Sequence, residues 1–303
     1  MTISFDPSLV ELPVGHWING KYVEGRGELE LRRPSDAFAY TASPLAGEDV
    51  VDRAVAGAKA ALRSSGWGGW RPRERASVMH RLADLMEANS QRLGQLESLA
   101  STRPIGQSMS VDVAVTAEQI RFFAEFSDKE GGDVVPTGGE HLGIILSEPY
   151  GVVGAITPWN VPLSMAGWKL GPALAAGNAV VIKPSEFTPF STLYLAELAV
   201  QAGIPNGIIN VVLGDGATTG NSLVAHPDIA KISFTGSSTA GAAILTTIGS
   251  TQVKPVTLEL GGKSPQIVFA SANINYAADC IAQSIKANAG QTCVAGSRVI
   301  VGL

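Results

Sequence analysis

The first third of the chain spaces its apolar residues as amphipathic helices do. Val51 and Val55 lie four positions apart in the segment 48–65, and the same spacing predicts further helices over 73–98 and 107–128. Glycine and proline residues separate the three segments. This part of the chain is therefore predicted to form an N-terminal helical layer that packs against later elements.

From residue 150 onward, short apolar runs alternate with helical segments. The predicted strands are 152–157, 178–183, 208–213, 230–235 and 254–260, and the predicted helices between them are 163–176, 188–202, 217–225 and 238–248. Strands joined through helices pair in parallel by right-handed crossovers. The predicted fold class is α/β, with a doubly wound, Rossmann-like parallel sheet. Ligands of such sheets bind beyond the carboxyl ends of the strands.

The segment 131–149 has a different pattern from the regions on either side. Glycine-rich turns flank short β-branched runs, which is typical of a hairpin or an extended arm. An exposed arm of this kind often pairs with another subunit. A last helix is predicted over 273–288, and a new strand is predicted to begin at Arg298.

Charge and hydropathy exclude several classes of function. The formal net charge of −5 provides no basic surface for a nucleic acid. Residues 1–10 lack the features of a secretion signal, so a cytoplasmic location is expected. Residues 151–182 hold a single charge, Lys169, but prolines and asparagines interrupt the run. No membrane partner is therefore predicted.

The cysteines and histidines do not form a metal motif. The histidines are scattered, at His16, His80, His141 and His226, and surface or helix-end positions are expected for them. Cys280 and Cys293 lack CxxC spacing, so neither a metal site nor a disulfide framework is predicted. Cys280 falls within an amphipathic helix and is expected in the core. Cys293 lies in a glycine-flanked loop, where it is either an exposed thiolate nucleophile or an inert loop residue.

The segment GSSTAG follows the predicted strand that ends at residue 235. Gly236 and Gly241 bracket the start of a helix, where free N–H groups and the helix dipole favour an anion such as pyrophosphate, and Ser237 can add a hydroxyl donor. The spacing is GxxxxG and differs from the GxGxxG of the usual dinucleotide motif. A structural helix cap explains these residues about as well.

Polar residues also follow the next buried run, NAVVI. Lys183 and Glu186 stand three positions apart at the carboxyl end of that strand, where they can bind ribose hydroxyls. The negative charge of Glu186 disfavours a 2′-phosphate and so favours NAD over NADP. The alternative is a solvated loop with a surface ion pair between the two side chains.

Two more residues at strand ends are candidates for catalysis. Glu259, in LELGGKSP, can act as a general base, or it can form a salt bridge with Lys263 or Lys254. Asn160, in TPWNVPL, is flanked by prolines that stiffen its loop, so its amide can be held as a donor to an oxyanion. A simple turn-forming asparagine is the alternative.

Taken together, these segments resemble the aldehyde dehydrogenase superfamily, because five motifs occur in the order of that family. They are ITPWNVPL with WKLGPALAAGN, then VVIKPSE, FTGSSTAG, LELGGKSPQIVF and GQTCVAGSR. The resemblance covers essentially the whole chain, including the front helices. It implies a subunit with an NAD-binding domain (1–130 and 150–261), an oligomerisation arm (131–149) and a second α/β catalytic domain that begins at 262–303.

The resemblance also implies a role for each motif residue. Cys293 is the nucleophile, Glu259 the base, Asn160 the oxyanion donor, and Lys169 a member of the proton network. The implied contacts to NAD are, for the adenosine ribose, Lys183, Ser185 and Glu186; for the pyrophosphate turn, Gly236, Ser237 and Gly241; and for the cofactor pocket, Trp159. NADP stays possible as the cofactor, and homodimers or homotetramers are implied.

The implied reaction is oxidation of an aldehyde to a carboxylic acid through a thiohemiacetal and a thioester on Cys293. The presence of Glu259 favours hydrolysis of the thioester over transfer of the acyl group to coenzyme A. Most of the family's catalytic domain lies after the nucleophile loop, so the chain is expected to be a fragment truncated at its C-terminus. The alternative is a non-catalytic NAD-binding or subunit-interaction protein. The sequence does not identify the aldehyde.

Overall fold

The structure is a computed structural model that describes residues 5–101 and 103–302. Its helices are α1 (Glu48–Ser65), α2 (Pro72–Ala88), α3 (Ser90–Ser101), α4 (Ile105–Gln107), α5 (Val113–Phe126), α6 (Pro162–Ala175), α7 (Phe190–Ala202), α8 (Asn221–Ala225), α9 (Ser238–Ser250) and α10 (Ile274–Lys286). Its strands are β1 (His16–Ile18), β2 (Lys21–Val23), β3 (Arg26–Arg32), β4 (Ala39–Leu45), β5 (Asp133–Val135), β6 (Gly143–Ile145), β7 (Val152–Ile156), β8 (Ala179–Lys183), β9 (Ile209–Val211), β10 (Lys231–Gly236), β11 (Val256–Leu260), β12 (Pro265–Val268) and β13 (Arg298–Val301).

The main sheet has the strand order β11-β10-β7-β8-β9-β1-β2, and β7 to β11 are parallel to one another. Every residue of β7 and β8 is buried, as expected of parallel strands covered on both faces. The chain runs outward from β7 to β8 and β9, then returns to β10 on the other side of β7. This reversal makes a switch point between β7 and β10, where a crevice opens beyond the strand ends. The predicted fold class is confirmed.

Helices cover both faces of this sheet. The helices α6 and α7 lie on one face, and the front helices α2 and α5 pack against them. Met86 of α2 and Leu170 of α6 are fully buried in this layer. The prediction that the front helices pack on later elements is therefore confirmed. On the other face, α1 packs on β8 and β9, and α9 packs on β10 and β11.

Two short strands extend the sheet beyond the predicted ones. β1 and β2 add antiparallel to the β9 edge, and at three residues each they are too short to show a periodic pattern. His16 of β1 is completely buried in a strand, so the prediction that it lies at the surface or at a helix end was wrong. Its Nδ1 accepts a hydrogen bond of 3.0 Å from the Leu213 N–H, and burial lowers the pKa of His16 to about 4.

The predicted hairpin within 131–149 is present. β5 pairs with β6 in antiparallel register, Asp133 opposite Ile145. The side chains of Val134, Ile144 and Leu146 are exposed along this arm. An exposed apolar hairpin is a surface suited to pairing with another chain.

The region after β11 begins a second small sheet, in which β12 pairs with β13 in parallel. The helix α10 precedes β13 and buries none of its residues in the described structure. Cys280 lies on this helix and is exposed, so its expected core position was wrong. Amphipathic spacing identifies an apolar face but does not show what covers it. None of the helices in the described ranges has a stretch long and apolar enough to cross a membrane.

Candidate active site

The candidate residues of the sheet stand at the carboxyl ends of its strands. Lys183 is the last residue of β8, Gly236 is the last of β10, and Glu259 is the next to last of β11. Asn160 follows β7 in the loop that leads into α6. Because parallel strands end at the same edge of a sheet, these residues are brought to one edge beside the switch point.

A cavity of about 340 Å³ lies at this edge. Its lining comes from the ends of β7, β8 and β10 and from the turn and helices opposite them: Ile156, Lys183, Gly216, Ala217, Gly220, Asn221, Val224, Phe234, Ala240, Ala243, Ile244 and Thr247. Its volume falls within the range of about 300–1,000 Å³ that is usual for small-molecule sites, and most of its wall is apolar. It is suited to a flat ring system with a few polar groups.

Most of this cavity wall carries none of the motifs described above. Asn221 and Thr247 join its two sides, because the Thr247 Oγ1–Asn221 Oδ1 distance is 2.8 Å. Val224 contributes an apolar surface from α8. The available signal was the glycine-rich stretch GDGATTG after β9, where the backbone can approach a ligand closely. Contact between α8 and α9 depends on the tertiary fold.

Lys183 forms one wall of the cavity and is buried. Its Nζ donates hydrogen bonds to the carbonyl oxygens of Gly214 (2.7 Å) and Pro184 (3.0 Å), and lies 3.4 Å from Glu186 Oε2. Burial lowers the pKa of Lys183, and the Glu186 carboxylate opposes that shift. The ion pair between the two side chains is real, but its lysine is buried rather than solvated. Ser185, between them, is also buried.

The segment GSSTAG begins α9 next to the cavity. Ser237 is the N-cap residue, and its hydroxyl accepts a hydrogen bond of 3.1 Å from the Ala240 N–H. A side chain at Gly241 would place its Cβ 3.0 Å from Leu260, and one at Gly236 would lie 2.5 Å from the Phe234 ring. The helix-cap alternative thus holds in this structure, and close packing accounts for both glycines. Their role toward pyrophosphate stays a prediction.

Cys293 lies in an irregular loop between α10 and β13, and it is exposed. The Asn160 Nδ2 donates a hydrogen bond of 2.8 Å to the carbonyl oxygen of Gln291 in this loop. In return, Asn288 Nδ2 donates one of 3.0 Å to the Asn160 carbonyl oxygen. A Cβ at Gly262 would lie 3.3 Å from the Cys293 carbonyl oxygen. The loop of the cysteine therefore meets both the Asn160 loop and the LELGG segment.

Lys169 connects α6 to the sheet beneath it. Only 6% of Lys169 is exposed, and its Nζ donates a hydrogen bond of 3.0 Å to Ser233 Oγ. Burial lowers the pKa of Lys169 to about 8. The negative charge of Glu259 raises this pKa, and the positive charge of Lys231 lowers it. Sequence reasoning did not single out Ser233 or Lys231.

Glu259 lies on the edge strand β11 and is exposed. It forms no salt bridge within the described part of the chain, and Lys254 instead donates a hydrogen bond of 2.7 Å to the His226 carbonyl oxygen. The alternative of an ion pair with Lys254 or Lys263 is therefore wrong. Trp159, beside Asn160, is 47% exposed and stands outside the lining of the 340 Å³ cavity.

The fold defines the class of doubly wound α/β proteins, and the cavity lies at the switch point where ligands bind in that class. A sequence profile of the aldehyde dehydrogenase family matches residues 22–302. The chain belongs to the aldehyde dehydrogenase family.

Individual relatives agree with this membership. The NADP/NAD-dependent aldehyde dehydrogenase PuuC of Escherichia coli is 43% identical over 291 residues, which are 94% of this chain and 58% of PuuC. The crystal structure of the aldehyde dehydrogenase KauB of Pseudomonas aeruginosa superposes with a TM-score of 0.93 at 40% identity, covering 96% of this chain and 59% of KauB. The chain thus spans somewhat less than three-fifths of the length of these relatives.

A third relative was solved with its cofactor. The indole-3-acetaldehyde dehydrogenase AldA of P. syringae, in complex with NAD⁺, superposes with a TM-score of 0.94 at 38% identity. The alignment covers 97% of this chain and 60% of AldA. The fold of this chain is therefore the fold of a relative that was solved with NAD⁺.

Proposed function

We propose that this chain carries the NAD-binding site and the catalytic cysteine of an enzyme that oxidises an aldehyde to a carboxylic acid. The observation that carries the proposal is the hydrogen bond of 2.8 Å from Asn160 to Gln291, which joins the cysteine loop to the site edge of the sheet. Cys293 thereby stands at the same edge as the cavity. The membership in the aldehyde dehydrogenase family supports the same reaction.

The residues present fit NAD. The 340 Å³ cavity has apolar walls for an adenine ring and lies at the switch point where dinucleotides bind in such sheets. Lys183 and Glu186 are proposed to bind the adenosine ribose with Ser185, and Ser237 and its two flanking glycines, Gly236 and Gly241, are proposed to hold the pyrophosphate. Trp159 is proposed to border the pocket next to Asn160. When bound, NAD supplies the hydride acceptor that aldehyde oxidation requires.

Formation of the first intermediate uses the cysteine and its neighbours. The Cys293 thiolate attacks the aldehyde carbon, so that a C–S bond forms and the carbonyl oxygen becomes an oxyanion. An Asn160 N–H and the Cys293 backbone N–H are proposed as the donors to that oxygen. One such donor is worth about 3–4 kcal/mol of transition-state stabilisation.

Oxidation and hydrolysis follow at the same carbon. The oxyanion re-forms its carbonyl as the carbon loses hydride, which leaves a thioester on Cys293. Glu259 then takes a proton from a water molecule, the water oxygen attacks the thioester, and the thiolate departs from the new carboxylic acid. Lys169 carries an amine whose pKa burial lowers to about 8, which suits it to exchange protons with Glu259 near neutral pH.

We also propose that the subunit assembles as a homodimer or homotetramer through the arm of residues 131–149. Five exposed apolar side chains on this arm support a pairing surface: Val134, Leu142, Ile144, Ile145 and Leu146. The two strands of the arm pair only with each other in the described chain. An added strand from another copy would satisfy their free edges.

The test of the catalytic proposal is NADH formation from a panel of simple aldehydes. The variant is Cys293→Ala, and Cys280→Ala is its matched control, because both thiols are exposed but only Cys293 lies at the site edge. We expect turnover to be lost in Cys293→Ala and unchanged in Cys280→Ala. Equal turnover in the two variants would contradict the proposal. NAD binding without any turnover or thiol reactivity at Cys293 would favour the non-catalytic alternative.

A further inference from the structure

One face of β10 and β11 is polar along its length. Ser233 pairs with Thr257 and Thr235 pairs with Glu259, so the side chains of each parallel pair project from the same face. Lys231, two residues before Ser233, projects from that face as well. The opposite face carries the apolar residues and is covered by α9. The row is half-buried on β10 and exposed on β11, so the groups on β10 are the ones that need polar partners.

The helix α6 contributes one cation to this polar row. Lys169 extends from α6 to Ser233, with an Nζ–Oγ distance of 3.0 Å. The Ser233 oxygen is the one side-chain acceptor that Lys169 contacts among the described residues. A buried ammonium on a flexible four-carbon stem needs such an acceptor to keep one position.

A second lysine stands on the same face nearer the amino end of β10. Lys231 Nζ donates a hydrogen bond of 2.8 Å to Thr257 Oγ1, and it lies 5.6 Å from the centre of the Tyr150 ring. These contacts hold the second positive charge in place. Its charge acts on the Lys169 amine, as does the opposite charge of Glu259.

Two further charged groups form hydrogen bonds with α6, one at each end. Glu97 accepts a hydrogen bond from the Leu163 N–H at the first turn, and Arg75 donates one to the Ala175 carbonyl oxygen at the last residue. On the side that faces α5, the glycines of α6 meet Thr116 and an uncharged glutamine and phenylalanine. The charges that act on the middle of the helix are therefore those of the polar row.

We propose that Ser233 is a positioning residue that holds the Lys169 amine on the face of the sheet that carries Glu259, with the Lys231 ammonium, two residues before Ser233 on the same face, as its like-charged neighbour. The catalytic meaning of this arrangement rests on the proposed function. The effect of Ser233 and Lys231 on the Lys169 pKa does not rest on the proposed function, because it depends only on a hydrogen bond and a like charge. It can therefore be measured without turnover.

The two neighbours of Lys169 act on its pKa in opposite directions. The Ser233 oxygen stabilises the ammonium, so removing it lowers the pKa. The Lys231 charge repels the ammonium, so removing it raises the pKa. If Ser233 and Lys231 had merely structural roles, their removal would not shift the pKa of the same amine in opposite directions.

The experiment is a pH titration of the lysine Cε resonances in the ¹³C-lysine-labelled full chain, with the Lys169 signal assigned through Lys169→Gln. We expect Ser233→Ala to lower the Lys169 pKa by about one unit, the range of a hydrogen bond to a charged group. We expect Ser233→Thr, which keeps a hydroxyl, to have the wild-type Lys169 pKa, and Lys231→Met to have a higher one. Lys21→Met, which removes an exposed charge at the far edge of the sheet, is the matched control and should leave it unchanged.

The result that overturns the proposal is an unchanged Lys169 pKa in Ser233→Ala, or shifts of the same sign in Ser233→Ala and Lys231→Met. If Ser233→Ala does not fold, Ser233→Thr and Lys231→Met still decide the matter. Failure of Ser233→Thr to keep the wild-type value, or no rise in Lys231→Met, would then overturn it.

A second measurement separates this inference from the proposed function. We expect Ser233→Ala to retain the initial burst of NADH while the pH profile of steady-state hydrolysis shifts in the direction of the Lys169 pKa. A burst that persists in Cys293→Ala would defeat the proposed function but leave the titration result standing. A normal burst with an unshifted pH profile would defeat the catalytic part of the inference alone.

Discussion

The side-chain amide of Asn160 donates a hydrogen bond of 2.8 Å to the carbonyl oxygen of Gln291, although 131 residues separate them in the chain. Gln291 lies two residues before Cys293. The contact therefore joins the loop after β7 to the loop of the cysteine. An amide nitrogen carries two N–H groups, so one can bind Gln291 while the other is available to a ligand.

The first prediction concerns this amide. Replacement of Asn160 by alanine should lower kcat about 10²–10³-fold, because a preorganised donor to the oxyanion is removed. Asn288→Ala removes the reciprocal hydrogen bond to the Asn160 carbonyl but leaves the amide, so it is the matched control. Steady-state kinetics with one aldehyde would check both variants. A loss of less than about tenfold in Asn160→Ala would contradict its role as an oxyanion donor.

The second prediction concerns the choice of cofactor. The wild-type chain should use NAD in preference to NADP, because the Glu186 carboxylate repels a 2′-phosphate. Glu186→Gln removes the charge at nearly constant side-chain size. It should therefore bring the ratio of kcat/KM with NAD to kcat/KM with NADP closer to one. The measurement is kcat/KM for each cofactor at saturating aldehyde. Comparable efficiencies with NAD and NADP in the wild type would show that Glu186 does not discriminate.

The third prediction tests whether the 340 Å³ cavity holds the adenine ring. Ala243 and its neighbour Ala242 are both exposed, but only Ala243 lines the cavity. Ala243→Trp should fill the space and weaken NAD binding about tenfold or more, which is about 1.4 kcal/mol. Ala242→Trp should bind as the wild type does. Calorimetric titration with NAD checks this, and equal affinities for the two variants would place the adenine elsewhere.

The fourth prediction is a pH dependence of stability that originates at Glu97. This carboxyl is fully buried, and burial raises its pKa from 4.5 to about 7. Between these two values the folded state holds a proton that the unfolded state has lost, so the free energy of unfolding falls as the pH rises through this window. The stabilisation is complete below about pH 4.5 and is lost by about pH 7.

Glu97→Gln keeps an acceptor for the Leu163 N–H and cannot ionise. Urea unfolding at pH 5 and pH 8 should therefore show a loss of stability in the wild type that exceeds the loss in the variant, by about 2–3 kcal/mol. Other titrating groups, such as His16, contribute equally to the pH dependence of both proteins, so their contributions cancel in the difference. Equal losses in both proteins would mean that Glu97 titrates normally.

The fifth prediction concerns assembly through the arm. Ile144→Asp places a charge on the exposed apolar strand β6 and should shift the chain toward the monomer. Glu140→Asp, at the exposed tip between β5 and β6, is the conservative control. Sedimentation velocity would give the oligomeric state of each. An unchanged oligomer in Ile144→Asp would locate the interface on another surface.

Local patterns were sufficient to predict the parallel sheet. The apolar runs of β7 and β8 are buried on both faces, so they read as continuous apolar strands between helical segments. The rule for ligands at strand ends then placed Lys183, Gly236 and Glu259 at one edge, as observed. The hairpin within 131–149 was predicted from turn residues and β-branched runs alone.

The burial of single residues could be predicted less well from the sequence. Cys280 was expected in the core and is exposed, whereas His16 was expected at the surface and is buried. Each error has the same origin. Helical periodicity or residue type gives a preference for burial or exposure. Whether the residue is buried in the fold depends on which elements pack against it.

The sequence by itself determined the order of the parallel strands and of the helices between them, the residues at the strand ends and the family motifs, because these depend on local spacing and on short segments. Only the tertiary structure decided which distant segments meet. The cavity wall needs α8 beside α9, the Asn160 contact needs the cysteine loop beside β7, and Ser233 needs Lys169 above it. Such contacts depend on how the helices pack across the sheet, and no local pattern encodes that packing.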